Sequence, residues 1–265
     1  MTAPLRIAIN GASGRMGKEL LACLQADARF ELVHAVVSAG SVHDGQALSG
    51  TSLRYAHDWQ DVPAPDVVVD FSGPAGLSAV LDYCLPRGVA LVTGTTGFDA
   101  ALEARLVDAA TRMPLLRAAN FSLGIAVLTR LLREAAAALR DWDLEIIEAH
   151  HGRKEDAPSG TALALGHAAA AARGSGLARD AVYSREGRTG PRREGSIGFA
   201  VVRGGDIVGE HQALLIGHGE RVELGHRATD RSIFARGALE AAHWVAGKAA
   251  GHYDLDAMLA ERSGR

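Results

Sequence analysis

From residue 5 to residue 117 the chain alternates short β-branched runs with stretches whose apolar residues recur every three or four positions. Residues 5–9 form the first such run, and Leu20, Leu21 and Leu24 then line one face of a helix. Residues 31–37 read as a second strand, and residues 40–59 as a Gly/Ser/His-rich loop with room for one short strand. The run 66–71 holds three consecutive valines and needs cover on both faces, as strands of parallel sheets do. A helix over 75–85, a strand over 89–93, a helix over 99–112 and a short strand over 114–117 follow. This βαβ rhythm predicts an α/β fold with a Rossmann-like, doubly wound parallel sheet.

The pattern then changes. Residues 125–139 make a long Ala/Leu-rich helix, residues 144–148 alternate as a half-buried strand, and an Ala-rich helix runs from a Ser159 or Thr161 cap to residue 172. Strands over 196–203 and 206–216 flank Gly204-Gly205, a hairpin signal, and residues 221–224 alternate again. These predict an α+β domain for substrate binding and oligomerisation, with a mixed or antiparallel sheet of about four strands backed by two helices. Its open face is suited to burial against copies of the same chain. Residues 233–246 have helical spacing, and the tail through 259 packs back on the first domain. The division expected is a dinucleotide-binding domain over 1–121, completed by 232–265, and a second domain over 122–231.

Composition narrows the function. At 265 residues and 48% hydrophobic, the chain has enough apolar mass for two cores. A formal charge of -3 and a pI near 6.4 argue against nucleic acid as the main partner. No stretch reads as a signal peptide or approaches a membrane span. Cys23 and Cys84, far apart in sequence, suggest reduced thiols and a cytoplasmic protein.

Two stretches carry candidate chemistry. Gly11-Ala12-Ser13-Gly14-Arg15-Met16-Gly17 lies between a strand and a helix, where glycines permit a tight turn and close approach of backbone N–H groups to a pyrophosphate. An uncomplicated β–α turn is the alternative. The second strand ends at Ser38-Ala39, with no acidic residue to bind ribose hydroxyls and no dedicated Arg for a 2′-phosphate, so either NADH or NADPH is permitted. Gly94, Thr95 and Thr96 follow a buried strand at its carboxyl end, where such sheets bind ligands, which makes them candidates to contact nicotinamide; a helix cap whose Thr hydroxyls satisfy the next turn is the alternative.

The second stretch, Glu148-Ala149-His150-His151-Gly152-Arg153-Lys154-Glu155-Asp156-Ala157-Pro158-Ser159-Gly160-Thr161, places two imidazoles, a guanidinium and an ammonium between a strand end and a helix start. A helix N-terminus attracts anions, but its dipole supplies only about 0.3–1 kcal/mol, so an anion site recruits cations. A metal site is disfavoured because adjacent His150 and His151 lack the i,i+4 spacing of helical ligands. The Gly/Arg-rich loop over 183–193, with Arg185, Arg188, Arg192 and Arg193, reads as solvated.

Taken with Ala118-Ala119-Asn120-Phe121-Ser122 and the run from Gly205 to His211, these motifs resemble the bacterial dihydrodipicolinate reductases over essentially the whole chain. The resemblance implies NADH- or NADPH-dependent reduction of a small cyclic dicarboxylate in diaminopimelate and lysine biosynthesis, by a homotetramer with no nucleic-acid or membrane partner. By matching positions it implies His150 as catalytic acid/base, Lys154 as proton donor, and His151, Gly160 and Thr161 as substrate-carboxylate contacts. It implies a coenzyme site of Gly11, Ala12, Ser13, Gly14, Arg15, Met16, Gly94, Thr95, Thr96, Ala118, Ala119, Asn120 and Phe121. Some members carry an acidic residue and an Arg at Ser38-Ala39 and an Arg at Gly73. The rival readings are a semialdehyde or homoserine dehydrogenase type, which lacks support because neither Cys has a nearby His, and a coenzyme sensor without chemistry.

Overall fold

In a computed structural model, which describes residues 3–60 and 62–264, the chain forms two compact units: Met1–Leu123 with Ser232–Arg265, and Gly124–Arg231. The first unit contains β1 (Leu5–Asn10), α1 (Arg15–Gln25), β2 (Phe30–Val36), β3 (Tyr55–Ala56), β4 (Val67–Asp70), α2 (Pro74–Cys84), β5 (Ala90–Thr93), α3 (Ala100–Ala110) and β6 (Pro114–Arg117). The second contains α4 (Leu123–Ala138), which starts at the boundary, then β7 (Asp143–His150), α5 (Gly160–Ala172), α6 (Leu177–Asp180), β8 (Ala181–Val182), β9 (Ile197–Arg203), β10 (Gly209–Ile216) and β11 (Arg221–Ala228). The chain returns to the first unit with α7 (Ser232–Val245), β12 (Gly251–Tyr253) and α8 (Leu255–Arg262).

The first unit is the doubly wound sheet that the apolar runs predict, seven parallel strands in the order β12-β6-β5-β4-β1-β2-β3. Every residue of β4 and β5 is buried, because helices cover both faces. The tail adds β12 beside β6, and α7 presses onto the turn that follows β6. A Cβ built on Gly237 of α7 would lie 1.8 Å from the Phe121 carbonyl oxygen, so only glycine permits that approach.

The second unit holds a mixed five-stranded sheet, β11-β10-β7-β9-β8, over a core of α4 and α5 side chains that includes Leu132, Leu165, Leu144 and Ile146. The hairpin expected around Gly204-Gly205 is not formed. Instead β7 lies between the two strands, parallel to β9 and antiparallel to β10. β7 places fully buried Leu144 and Ile146 on its inner face and needs a neighbour along each edge. The Gly204-Gly205 segment therefore crosses the end of β7, where Gly204 N–H donates to the His150 carbonyl (3.0 Å) and His151 N–H to the Ile207 carbonyl (2.8 Å).

A second correction concerns the Gly/Arg loop. Arg185 forks onto Glu145 (2.8 and 2.9 Å), and Arg192 binds Asp143 (2.8 Å), Glu145 (3.1 Å) and the carbonyls of Leu144 and Ser196. Two of its four expected solvated arginines are thus pinned to the outward-facing acids of β7, while the loop itself, residues 183–191, is exposed as expected.

Gly237→Ala is expected to lower the unfolding free energy by roughly 2–4 kcal/mol, because the clash is with backbone that cannot rotate away. Gly247→Ala, whose added Cβ meets nothing within 4 Å, serves as the control and is expected to shift the urea midpoint little.

Candidate functional site

In the first unit a cavity of about 620 Å³ opens at the carboxyl ends of β1, β2 and β4. Of the expected coenzyme residues, Gly11, Ser13 and Gly14 line it, while Ala12 is buried beneath and Arg15 and Met16 lie outside its wall. Gly94, Thr95, Thr96, Ala118, Ala119, Asn120 and Phe121 also lie outside it. Residues 94–96 and 118–121 follow β5 and β6, farther along the same carboxyl edge. Thr95 is buried with its hydroxyl donated to Asp70 (2.7 Å). Ser72, Gly73, Pro74, His57 and Trp59 supply the far wall, of which the sequence reading names Gly73 alone, as a position where some relatives carry an Arg.

The cradle fits a dinucleotide. Gly11 has φ +81° and would place a Cβ 2.6 Å from the Phe71 carbonyl, and Gly17 would place one 2.3 Å from the Gly11 carbonyl. Only glycines let the turn and α1 close to this degree. The N-caps of α1 and α2, Gly14 and Gly73, both line the cavity and give no side-chain cap, whereas Asp99, Ser159 and Asp254 cap α3, α5 and α8. Two helix starts thus present backbone N–H groups to the same space, the arrangement that holds phosphates.

In the second unit, the inner faces of three strands converge at one end of the sheet. Glu148 is 1% exposed and shares the parity of Leu144 and Ile146 on β7. His150 is next on that face, and the register sets His211 of β10 opposite Glu148 and Arg203 of β9 beside His150. The Glu148 carboxylate accepts four strong hydrogen bonds: His150 Nδ1 (2.6 Å) and Arg203 Nη1 (2.7 Å) on Oε2, and Arg203 Nη2 (2.7 Å) and Ser159 N–H (2.9 Å) on Oε1. Burial works to raise the Glu148 pKa, and the bonds from Arg203, His150 and Ser159 outweigh it and hold the carboxylate below its ordinary value.

Nδ1 of His150 is therefore taken, which leaves Nε2 as the atom able to meet a ligand. A Cβ on Gly209 would stand 3.1 Å from that Nε2. Lys154 is half-buried with Nζ on Asp156 (2.6 and 2.8 Å). His151 Nδ1 is buried without a hydrogen-bond partner. Partial burial, then the charges of Arg153, Arg231, His150 and Lys154, lower the His151 pKa and favour its neutral form. Ser159 caps α5 through Ala162 N–H (3.1 Å), and Gly160 is exposed at the first turn with open space where a side chain would be. Thr161, half-buried, is the second residue of the same turn.

The sequence reading names Glu148 and His211 only as members of motifs and gives no role to them or to Arg203. Strand parity could have found the first, since a period of two places residue 148 with 144 and 146. The other two needed the register.

The comparisons with known proteins agree with this geometry. The family model "Dihydrodipicolinate reductase, N-terminus" matches residues 5–121, and "Dihydrodipicolinate reductase, C-terminus" matches residues 124–259. The chain belongs to the dihydrodipicolinate reductase family. It is 48% identical to the 4-hydroxy-tetrahydrodipicolinate reductase of Thiobacillus denitrificans, over 96% of this chain and 98% of that protein. It is 45% identical to that of Acinetobacter baylyi, over 98% and 97%. A dipicolinate-bound dihydrodipicolinate reductase from Paenisporosarcina sp. TG-14 shares the fold at a TM-score of 0.77 and 24% identity, over 96% and 99% of the two chains. Among the described residues no helix is long and apolar enough to cross a membrane.

His211 gives the site a pH signature. It is 5% exposed, and burial, followed by the neighbouring His150, pushes its pKa down to about 4. In the unfolded chain a histidine titrates near ~6.5. Between those values the unfolded chain holds a proton that the folded one does not, so stability falls as pH drops from about 6.5 to 4, by at most ~3 kcal/mol. Urea unfolding across this range is expected to show that slope, and His211→Gln is expected to flatten it even where its midpoint at neutral pH is lower.

Proposed function

We propose that the protein reduces 4-hydroxy-tetrahydrodipicolinate to tetrahydrodipicolinate with NADH or NADPH, a step in diaminopimelate and lysine biosynthesis. The observation that carries this reading is the His150 imidazole oriented by a buried carboxylate, on the loop that also bears His151, Lys154 and the capped start of α5.

The first unit holds the coenzyme, its diphosphate at the N-termini of α1 and α2. When bound, the dihydronicotinamide supplies a hydride. In the second unit, one substrate carboxylate sits at the first turn of α5, against Gly160 and Thr161. Neutral His151 donates a hydrogen bond to it, which gives the ring of this otherwise underused imidazole a partner. Lys154 leaves the exposed Asp156 for the substrate, since a surface ion pair is worth only about 0–1 kcal/mol. The conversion adds a hydride and a proton and releases the 4-hydroxyl as water, so atoms balance, and the proton comes from Lys154 Nζ or His150 Nε2. Glu148 keeps the His150 ring in one orientation by occupying Nδ1.

No Arg, Lys, Asp or Glu lines the cavity among the described residues, so nothing there attracts or repels a 2′-phosphate strongly. The exposed valines of the second sheet, Val201, Val202 and Val222, offer apolar area that copies of the chain can cover, and a homotetramer joined through that sheet is part of this proposal.

Oxidation of the coenzyme only in the presence of the cyclic substrate tests the activity. Lys154→Ala and His150→Gln are each expected to lower kcat by about 10²-fold or more with the coenzyme KM little changed; a variant that keeps both turnover and the wild-type pH profile has no part in proton delivery. The two coenzymes are expected to give kcat/KM values within about tenfold of each other, a difference of ~1.4 kcal/mol. Sedimentation equilibrium is expected to give four chain masses.

A further inference from the structure

Asp70 is the last residue of β4, fully buried, and has no role in the chemistry above. The register sets it between Asn10, the last residue of β1, and Thr93, the last residue of β5. Its Oδ1 accepts Asn10 Nδ2 (2.8 Å), Ser72 Oγ (2.5 Å) and Ser72 N–H (3.3 Å). Its Oδ2 accepts the hydroxyls of Thr93 (2.7 Å) and Thr95 (2.7 Å). Thr93 in turn accepts Thr95 N–H (3.2 Å), and Asn10 Nδ2 reaches the Gly76 carbonyl inside α2 (3.1 Å). None of these partners is a cation. A carboxylate buried among neutral donors is costly, and its retention calls for a gain elsewhere.

We propose that Asp70 is a positioning residue for coenzyme binding: one carboxylate locks together the three turns at the carboxyl ends of β1, β4 and β5. Each turn begins at the residue after a partner: Gly11 after Asn10, Phe71 after Asp70 itself, and Gly94 after Thr93. The tolerances there are tight, since a Cβ on Gly11 would stand 2.6 Å from the Phe71 carbonyl and one on Gly94 would stand 2.2 Å from the Phe71 ring. A small shift of one turn therefore moves its neighbours, and with them the N-caps of α1 and α2. Asp70 touches no ligand itself. The inference rests on reading the 620 Å³ cavity as the coenzyme site.

The test compares wild type, Asp70→Asn and Thr93→Val in the full chain, by fluorescence titration with NADH and calorimetry with dipicolinate. Asparagine keeps the volume and removes the charge. Valine removes one hydroxyl from the carboxylate and serves where Asp70→Asn fails to fold. Support is a rise of at least threefold in the dissociation constant for NADH, tenfold expected for Asp70→Asn, with that for dipicolinate within twofold and turnover at saturating NADH within threefold. A rise below threefold, or equal weakening of both ligands, as general loosening would give, overturns it. If wild type itself binds no NADH, the reading of the cavity fails first, and that result is distinct from binding that ignores Asp70.

Discussion

The second unit depends on one buried anion. Glu148 has almost no contact with water, and leaving such a carboxylate without partners would cost several kcal/mol. Its four hydrogen bonds come from β7 itself, from β9 through the Arg203 fork and from the backbone at the start of α5. β7, the start of α5, 11 residues on from Glu148, and β9, 55 residues on, must therefore assemble in one arrangement for the charge to be tolerated. The pairing is bidentate and largely shielded from solvent, the circumstance in which a charge pair specifies geometry rather than adding much net stability. What it specifies is the direction of His150 and the position of the α5 N-terminus, the two features on which the proposed chemistry relies.

The topology of the sheet follows from the same requirement. A β9–β10 hairpin would leave β7 at an edge and could not place Arg203 and His211 on opposite sides of the Glu148–His150 face. With β7 central, its parallel neighbour delivers a guanidinium and its antiparallel neighbour an imidazole at the same level. The Gly204-Gly205 segment that looks like a tight turn in sequence is a crossing over the end of β7, and its hydrogen bonds hold the His150-His151 backbone.

Much of this was legible in the sequence because it rests on local pattern. Three consecutive valines before Asp70 require a doubly covered strand, and glycines between a strand and a helix mark a close turn. The loop from Glu148 to Thr161 announces itself by its density of titratable groups. What was not legible depends on pairing between distant segments: which strand lies beside β7, that Arg185 and Arg192 fold onto Glu145 and Asp143 instead of into water, and that Asp70 gathers Asn10, Ser72, Thr93 and Thr95. Glu148 falls between the two cases. Its alternation with apolar neighbours suggests an outward acid, yet its parity with Leu144 and Ile146 points it inward, and the decision turns on whether a cation is available inside. Arg203 is that cation, 55 residues away.

The two units solve recognition in different ways. The first presents backbone: glycines without Cβ atoms and two helix starts without side-chain caps, Gly14 and Gly73, so the surface of its cavity is set by chain geometry. The second presents side chains: an oriented imidazole, an ammonium and an unpartnered ring nitrogen on His151. The second unit cannot exchange the residues around Glu148 without losing that geometry, because the carboxylate that orients His150 also joins β7, β9 and the start of α5.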